Sequence, residues 1–416
     1  MNLVEDLKAR ELVEHHSAEP EKIFSGKRTV YLGVDPSADS MQAGNLVVLL
    51  LMKRLADAGH NLVLLVGGGT GMIGDPRESG ERQLADAKIV ARNAKALQKQ
   101  MERIIGRRVR LVNNADWLLK VKLVDFLRDI GKHFTVNELV KRDIIRRRLE
   151  TPDESISYTE FAYSLLQGLD YLTLYQKYGV DVQLGGSDQW VNILSGVELI
   201  RRKLGREAFA FTCPLVTDSS GKKFGKSEGN AVWLDPDKTS PFAFYQFWLN
   251  QPDDSVEKYL KFYTFLPLSE IDSLVERNRA NPQAREAQRK LAGDVTTLVH
   301  GRKAAEEAEK VSGVLYGSGS LASLAKSERL ALIAGAPGMT IAFRALAGTS
   351  VADALVASGL ATSKSDARRL IEGKGVSING IAIEEPDAVL DPNQFENGLA
   401  LLRRGRQQVA VLSIEK

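Results

Sequence analysis

The run Asp218-Ser219-Ser220-Gly221-Lys222-Lys223-Phe224-Gly225-Lys226-Ser227 sets Lys223 and Lys226 three residues apart in a loop bordered by glycines. That arrangement suits a polyphosphate. Each lysine is a flexible point charge, and flanking glycines let a backbone close over phosphate oxygens. A solvated surface charge run has the same composition, so the motif by itself leaves both readings open. A second stretch, Gly67-Gly68-Gly69-Thr70-Gly71-Met72-Ile73-Gly74-Asp75-Pro76, contains the G-x-G-x-x-G pattern of dinucleotide sites. The context fails that pattern, because Pro76 favours a turn where a helix should continue and no acid-ended strand follows about 20 residues later. The glycines instead fit a backbone passing close to a ligand, with Asp75 aimed at a cation or an amine.

Three further segments could contribute polar groups. Asp35 to Asn45 leads straight into a helical pattern, and a helix N-terminus carries free N–H groups that suit phosphate. An ordinary helix capped by Ser40 is the plainer reading. Tyr163, Gln167 and Asp170 fall at i, i+4 and i+7, which puts them on one helix face among apolar neighbours, where a polar ligand could satisfy them. Gln183 to Trp190 ends a strand in a glycine turn carrying Asp188 and Gln189; a site and a plain surface turn fit it equally.

The elements that must hold these residues read as follows. Thr29–Val34 and Asn61–Val66 are strand patterns separated by a helical pattern from Asn45 to Ala58, an order that argues a parallel α/β sheet. Ligands bind such sheets beyond the carboxyl ends of the strands, just where the segments after Val34 and Val66 lie. A block at about 236–320 is helical, opened by Thr239-Ser240-Pro241 and carrying Phe242, Tyr245, Phe247 and Trp248 as core. Residues 321–350 read as a Gly/Ala/Ser-rich linker, and 351–416 as helix followed by short strands. The 416 residues are long enough for two or three domains. At 44% hydrophobic and 26% charged with a net charge of +3, the composition is that of an ordinary soluble chain and announces no nucleic-acid binder by charge alone. The single cysteine, Cys213, excludes an internal disulfide and a thiolate metal site, and the five histidines show no ligand spacing, so no protein-held metal is expected. No apolar run approaches the ~20 residues of a membrane span, and the acidic N-terminus is unlike a signal peptide, so a cytoplasmic protein is expected.

Taken together the motifs resemble those of the bacterial tyrosyl-tRNA synthetases, a class I aminoacyl-tRNA synthetase family, nearly end to end. Asp35–Asn45 stands at the HIGH signature, and Lys223-Phe224-Gly225-Lys226-Ser227 is a common form of the KMSKS loop. Gly67–Asp75, Tyr158–Asp170 and Gly185–Asn192 match further blocks in the same order, and the C-terminal segment through Ser363–Ile371 and Gly375–Gly380 is similar to an S4 RNA-binding domain. The resemblance implies a Rossmann-like catalytic domain at 1–235 with an inserted connective and dimerisation segment at about 120–170. An α-helical anticodon-side domain at 236–320, the linker, and an S4-like α+β domain at 351–416 would follow. It also implies a ligase that joins tyrosine to ATP as tyrosyl-adenylate, releases pyrophosphate, and passes the tyrosine to the 3′-terminal adenosine of tRNA(Tyr), as a homodimer with Mg²⁺ carried by the nucleotide.

On that resemblance Tyr31 and Asp170 hold the substrate phenol, Asp75, Tyr163 and Gln167 the α-ammonium, and Gln189 the carboxylate. Gly33, Asp35, Gly44 and Asp188 line the nucleotide, with Ser37, Gln42 and Asn45 near the phosphates, and Lys223, Lys226 and Arg82 clamp the pyrophosphate. A site of this kind rejects phenylalanine, because its buried polar groups would be left unpaired. tRNA would meet Lys364, Arg368, Arg369 and Lys374, with Arg403, Arg404 and Arg406. That domain carries nine acidic against eight basic residues, so clustering and not total charge must do the work. The chain departs from the family at Gln42, where the first histidine of the signature is usual, while Asn45 in place of the second is familiar. Leu32, Val191 and a short basic segment with only Arg77 and Arg82 are lesser departures. Gln42 can donate a neutral hydrogen bond but carries no charge. A non-catalytic RNA-binding paralogue and a tryptophanyl-tRNA synthetase are the alternatives.

Overall fold

The computed structural model describes residues 1–74, 86–140, 143–152, 154–217, 224, 231–317, 319–336, 338–405 and 408–415, which fall into two compact units. The first comprises Met1–Asp235 and Glu257–Val275. Its sheet has the order β1-β6-β5-β2-β3-β4, from β1 (His15–His16), β2 (Thr29–Val34), β3 (Asn61–Val66), β4 (Arg110–Asn113), β5 (Val182–Gly186) and β6 (Phe209–Cys213). All neighbours run parallel except β1, which is antiparallel to β6. The strands at 29–34 and 61–66 fall where the alternation placed them, and the helix between them spans Leu46–Asp57 behind a 3₁₀ turn at Ala43–Asn45.

Strand order explains where a ligand can go. From β2 the chain builds outward through β3 and β4, then returns to lay β5 on the opposite side of β2. The carboxyl ends of β2 and β5 therefore flank the point at which the order reverses, and loops leaving in opposite directions open a crevice there. Tyr31 and Gln183 are register partners in these two strands. They share a face, while Val30 and Leu32 face the other way. Tyr31 is fully buried and packs its ring 5.1 Å from that of Tyr171 on the helix Tyr158–Tyr178. That helix begins with a Ser157–Glu160 capping box, and Glu160 is pinned by a buried ion pair with Arg148 at 2.7 Å.

The second unit, Pro236–Val256 with Glu276–Lys416, holds the helices Pro241–Leu249, Glu286–His300, Arg302–Tyr316 and Lys326–Gly335. Its sheet has the order β7-β11-β10-β8-β9, from β7 (Gly338–Ala342), β8 (Val376–Ile378), β9 (Ile381–Ala382), β10 (Leu399–Arg404) and β11 (Gln408–Glu415). Two helices, Val351–Ala357 and Lys364–Glu372, contribute Val351, Leu355, Ala367 and Ile371 to the core beside this sheet. Phe242, Tyr245 and Trp248 are core as expected, and Phe247 is half-buried.

Two boundaries differ from the sequence reading. Residues 257–275 group with the first unit instead of with a continuous helical block at 236–320. The cause is local: Tyr259 and Tyr263 stack on Phe224, and the carbonyls of Thr264 and Leu266 accept from Arg54 and Arg10. The stretch 321–350 is not a bare linker, since it contains the helix Lys326–Gly335 and strand β7, which pairs parallel to β11. Its small residues permit close pairing: a methyl group on Gly338 would sit 2.3 Å from the Val411 carbonyl oxygen.

Candidate active site

A cavity of about 470 Å³ opens at the carboxyl ends of β2 and β5. Tyr31, Gly33, Asp35, Ser37, Gln42, Gly44, Asn45, Tyr163, Gln167, Asp170, Asp188 and Gln189 all line it. Residues far apart in sequence thus converge on one space. Asp75, Arg82, Lys223 and Lys226 lie outside the described residues, as do Arg77 and Arg406.

At the deep end Asp170 is 2% exposed, its Oδ2 accepting from Asn114 Nδ2 and its Oδ1 from Trp117 Nε1, each at 2.8 Å. Burial pushes its carboxyl pKa up to about 7 and the charge of Asp35 adds to that, against the pull of the two donors. Burial is also the main cause that holds the Tyr31 hydroxyl well above the ordinary phenol value, with the nearby Tyr171 and Asp170 adding to it. Tyr31 Oη is therefore a protonated donor at neutral pH, and it is buried without a hydrogen-bond partner among the described residues. A buried hydroxyl left this way is costly unless a ligand completes it.

A chain of hydrogen bonds links this floor to the wall. Asn114 Nδ2 also lies 2.9 Å from Thr70 Oγ1, Thr70 donates to Asp35 Oδ1 at 3.2 Å, and Tyr163 donates to Asp35 Oδ2 at 3.2 Å. Asn114 Oδ1 in turn receives the Gly69 N–H at 2.7 Å, so the glycine-rich turn is fastened to the same amide. Thr70, Asn114 and Trp117 were not singled out from sequence. Asn114 does follow directly on β4, so the strand-end rule applied after β2, β3 and β5 would have found it. Gln183 was missed as well; it is 2% exposed, lines the cavity beside Tyr31, and its Oε1 has no partner among the described residues.

At the open end nothing lies within 4 Å of where a side chain on Gly33 would begin, leaving room for a ligand against the strand. Gln42 N donates to Asn45 Oδ1 at 3.2 Å. Ser40 does not cap the helix; it is buried and donates to the Met41 carbonyl at 3.0 Å. Ala43 N–H goes to the Val232 carbonyl at 2.8 Å and Leu234 N–H to that of Met41 at 2.9 Å, which zips 41–43 onto residues just beyond the two-lysine loop. Phe224, the described member of that loop, is 3% exposed, and its carbonyl oxygen would lie 2.7 Å from a methyl on Gly44. Gly44 is thus required by close approach of the loop's backbone.

In the second unit the expected RNA-facing cations are tied up in surface pairs. Lys364 meets Asp353 at 2.6 Å, Arg368 meets Asp387 at 2.9 Å, Arg369 meets Asp366 at 2.8 Å, and Lys374 meets Glu384 at 2.9 Å. Arg404 donates to the Leu360 carbonyl at 2.8 Å, and Arg403 to that of Val314 at 3.5 Å.

A family model described as tRNA synthetases class I (W and Y) matches residues 25–316, and one described as the tyrosine--tRNA ligase SYY-like C-terminal domain matches residues 331–412. A tyrosine--tRNA ligase from Leuconostoc citreum is 45% identical over 415 residues, which is 98% of each chain. The chain belongs to the tyrosine--tRNA ligases of class I. It is accordingly an enzyme, and the relatives' near-complete coverage leaves the non-catalytic paralogue without support. Among solved structures, a C-terminally truncated mitochondrial tyrosyl-tRNA synthetase from Aspergillus nidulans aligns with TM-score 0.66 at 32% identity, covering 74% of this ligase and 92% of that chain. A tryptophanyl-tRNA synthetase from Encephalitozoon cuniculi aligns with TM-score 0.54 at 14% identity over 73% of this ligase and 87% of its own chain. That likeness is one of fold alone, so fold cannot separate a phenol pocket from an indole pocket; the residues at the cavity floor must do so.

Proposed function

We propose that the cavity binds L-tyrosine with its phenol at Tyr31 and Asp170 and ATP along Gly33, Asp35, Gly44 and Asp188, and that it forms tyrosyl-adenylate. The observation that carries this reading is the cavity floor: a carboxylate held by two donors beside an unpartnered tyrosine hydroxyl. A phenol satisfies both at once, donating to Asp170 and accepting from Tyr31, whereas an indole N–H can only donate. Gln167 and Tyr163 take the α-ammonium with Asp75, and Gln189 lies by the carboxylate. The tyrosine carboxylate oxygen attacks the α-phosphorus, forming the acyl–phosphate bond as the bond to the β-phosphate oxygen breaks and pyrophosphate leaves. Ser37, Gln42 and Asn45 hold phosphate oxygens, and Lys223, Lys226 and Arg82 take up the charge on the leaving group. A hydroxyl of the tRNA 3′-terminal ribose then attacks the acyl carbon and AMP departs. No side chain need form a covalent bond; positioning and charge stabilisation supply the catalysis.

Mg²⁺ fits as a passenger of the nucleotide. Among the described residues no group of three or more His, Cys, Asp or Glu could cage a metal, and Mg²⁺ commonly binds through substrate phosphates. The tRNA(Tyr) partner is assigned to the six C-terminal cations. Four of them, Lys364, Arg368, Arg369 and Lys374, sit in surface ion pairs; such pairs contribute only about 0.2–1 kcal/mol, so phosphates can displace the carboxylates. A homodimer is supported by Leu119, Leu123, Val124 and Tyr158, each at least 67% exposed in the segment between β4 and β5; large apolar side chains concentrated like this mark an interaction surface. Sedimentation should give twice the chain mass, and Leu123→Asp with Val124→Asp should shift it toward one chain. A cytoplasmic location accords with this activity; among the described residues no helix is long and apolar enough to cross a membrane.

The deciding experiment is ATP–pyrophosphate exchange with tyrosine, phenylalanine and tryptophan supplied separately. Exchange is expected with tyrosine and near background with the others. Exchange with tryptophan in preference to tyrosine would overturn the phenol assignment.

A further inference from the structure

Two buried amides on one helix brace the segment that lines the nucleotide side of the cavity. Asn93 and Gln100 lie on the helix Ala87–Ile105, 4% and 8% exposed, among the buried apolar residues Val90, Ala94, Leu97, Met101 and Ile104. They stand seven residues apart, so they share a face two turns apart, about 10 Å along the axis. Asn93 Nδ2 donates to the Pro36 carbonyl at 3.0 Å. Gln100 Oε1 accepts the Met41 N–H at 2.8 Å, and its Nε2 donates to Ser40 Oγ at 3.0 Å. Ser40 Oγ closes the ring by donating to the Met41 carbonyl at 3.0 Å. The two amides thus grip both ends of the irregular turn from Pro36 to Met41. That turn carries Ser37 and leads directly into Gln42, both on the cavity wall. Neither amide lines the cavity itself.

We propose that Asn93 and Gln100 are positioning residues for adenylation: they set where Ser37 and Gln42 meet the phosphates, and they leave the tyrosine end alone. An amide buried on an otherwise apolar helix face is tolerated where it has specific partners, and here they come from the turn that presents the phosphate contacts: the Pro36 carbonyl, the Met41 N–H and Ser40 Oγ, with Asn93 Oδ1 alone unpartnered among the described residues. The floor of the tyrosine end is held by β2, the helix Tyr158–Tyr178 and the Asn114–Trp117 cradle, and it meets the gripped turn through Asp35, which accepts from Tyr163 and Thr70. Removing a grip should therefore disturb the phosphate half-site far more than the tyrosine one.

This inference rests on the adenylation reading above, and the test separates the two. ATP–pyrophosphate exchange and tyrosine affinity without ATP are measured for the wild type, Gln100→Leu, Gln100→Glu and Asn93→Ala. Small displacements of reacting groups are costly, so Gln100→Leu is expected to lower the exchange kcat by about 10- to 100-fold, while tyrosine Kd stays within roughly twofold of wild type. Gln100→Glu keeps the acceptor for the Met41 N–H and should recover most of that loss, and Asn93→Ala should fall between them. Unchanged exchange in Gln100→Leu overturns the proposal. So does tyrosine affinity falling in step with exchange, which a merely structural amide would produce. Should Gln100→Leu fail to fold, wild-type exchange in both Gln100→Glu and Asn93→Ala overturns it equally. Absence of tyrosine-dependent exchange in the wild type itself would sink the adenylation reading, and this one with it.

Discussion

Asp170→Asn is expected to lower kcat/KM for tyrosine activation by about 10²–10³-fold, with the KM for ATP little changed. Two effects add. The substrate phenol loses a charged acceptor, and the new amide brings an NH₂ against one of two donors, Asn114 Nδ2 or Trp117 Nε1, that now point at an acceptor. Leaving a buried donor opposed costs more than losing a neutral bond in water. The same residue sets a pH dependence. With its carboxyl pushed up to about 7 by burial, Asp170 carries a proton in the empty site across the acidic range. The phenol needs the ionised form as acceptor, so tyrosine Kd should rise as pH falls below about 7, approaching tenfold per pH unit, and binding near neutrality should release protons. Calorimetry in buffers of differing ionisation enthalpy measures that release, and Asp170→Asn should abolish both it and the slope. Stability of the free chain runs the opposite way. A carboxyl pKa raised from 3.8 means the fold holds the proton more tightly than the unfolded chain does. This group's contribution is therefore fullest below about pH 4 and is lost as pH rises through about 7.

Much of this was legible from the chain because the informative signals were local. Strands at 29–34 and 61–66 announce themselves by short β-branched and aliphatic runs, and the face shared by Tyr163, Gln167 and Asp170 follows from helical periodicity alone. What stayed hidden depended on partners distant in sequence. Asn114 lies 56 residues from Asp170 and 44 from Thr70, and no local pattern says that one amide will fasten all three elements. Gln183 sits within a strand whose neighbours read as plain core, so its single polar group is easily passed over. Composition misled at 321–350, where Gly and Ala permit tight strand pairing as readily as they permit a loose connector. The positive clusters at 364–374 were visible, but the acids that face them, Asp353, Glu384 and Asp387, come from other turns of the domain. On the proposed assignment RNA binding there exchanges carboxylate for phosphate, and it should weaken steeply with salt.

Replacing Lys223 or Lys226 with alanine should damage adenylation far more than replacing Gln42. As pyrophosphate leaves, negative charge grows on the β-phosphate oxygens, and charged donors aimed there in a closed site are worth about 10²–10³-fold in rate. Gln42 offers at best a neutral bond, and its loss should cost no more than about tenfold. Its placement supports that ranking. Gln42 is half-buried, its backbone N–H is held by Asn45 and its strand bridge to Trp233 fixes the segment without the side chain. Truncation therefore removes a contact and leaves the wall standing. The neighbouring backbone brings the loop's chain to the same wall, through the Phe224 carbonyl against Gly44. Single-turnover formation of tyrosyl-adenylate, with tyrosine and ATP saturating, measures the effect on the chemical step. Gln42→Ala falling below Lys226→Ala would reverse the ranking and make the amide the main phosphate contact. Gln42→His supplies the converse: a faster rate confined to low pH would show that an imidazolium adds charge the wild type lacks, and equal rates at every pH would show that the lysines already supply what the transition state requires.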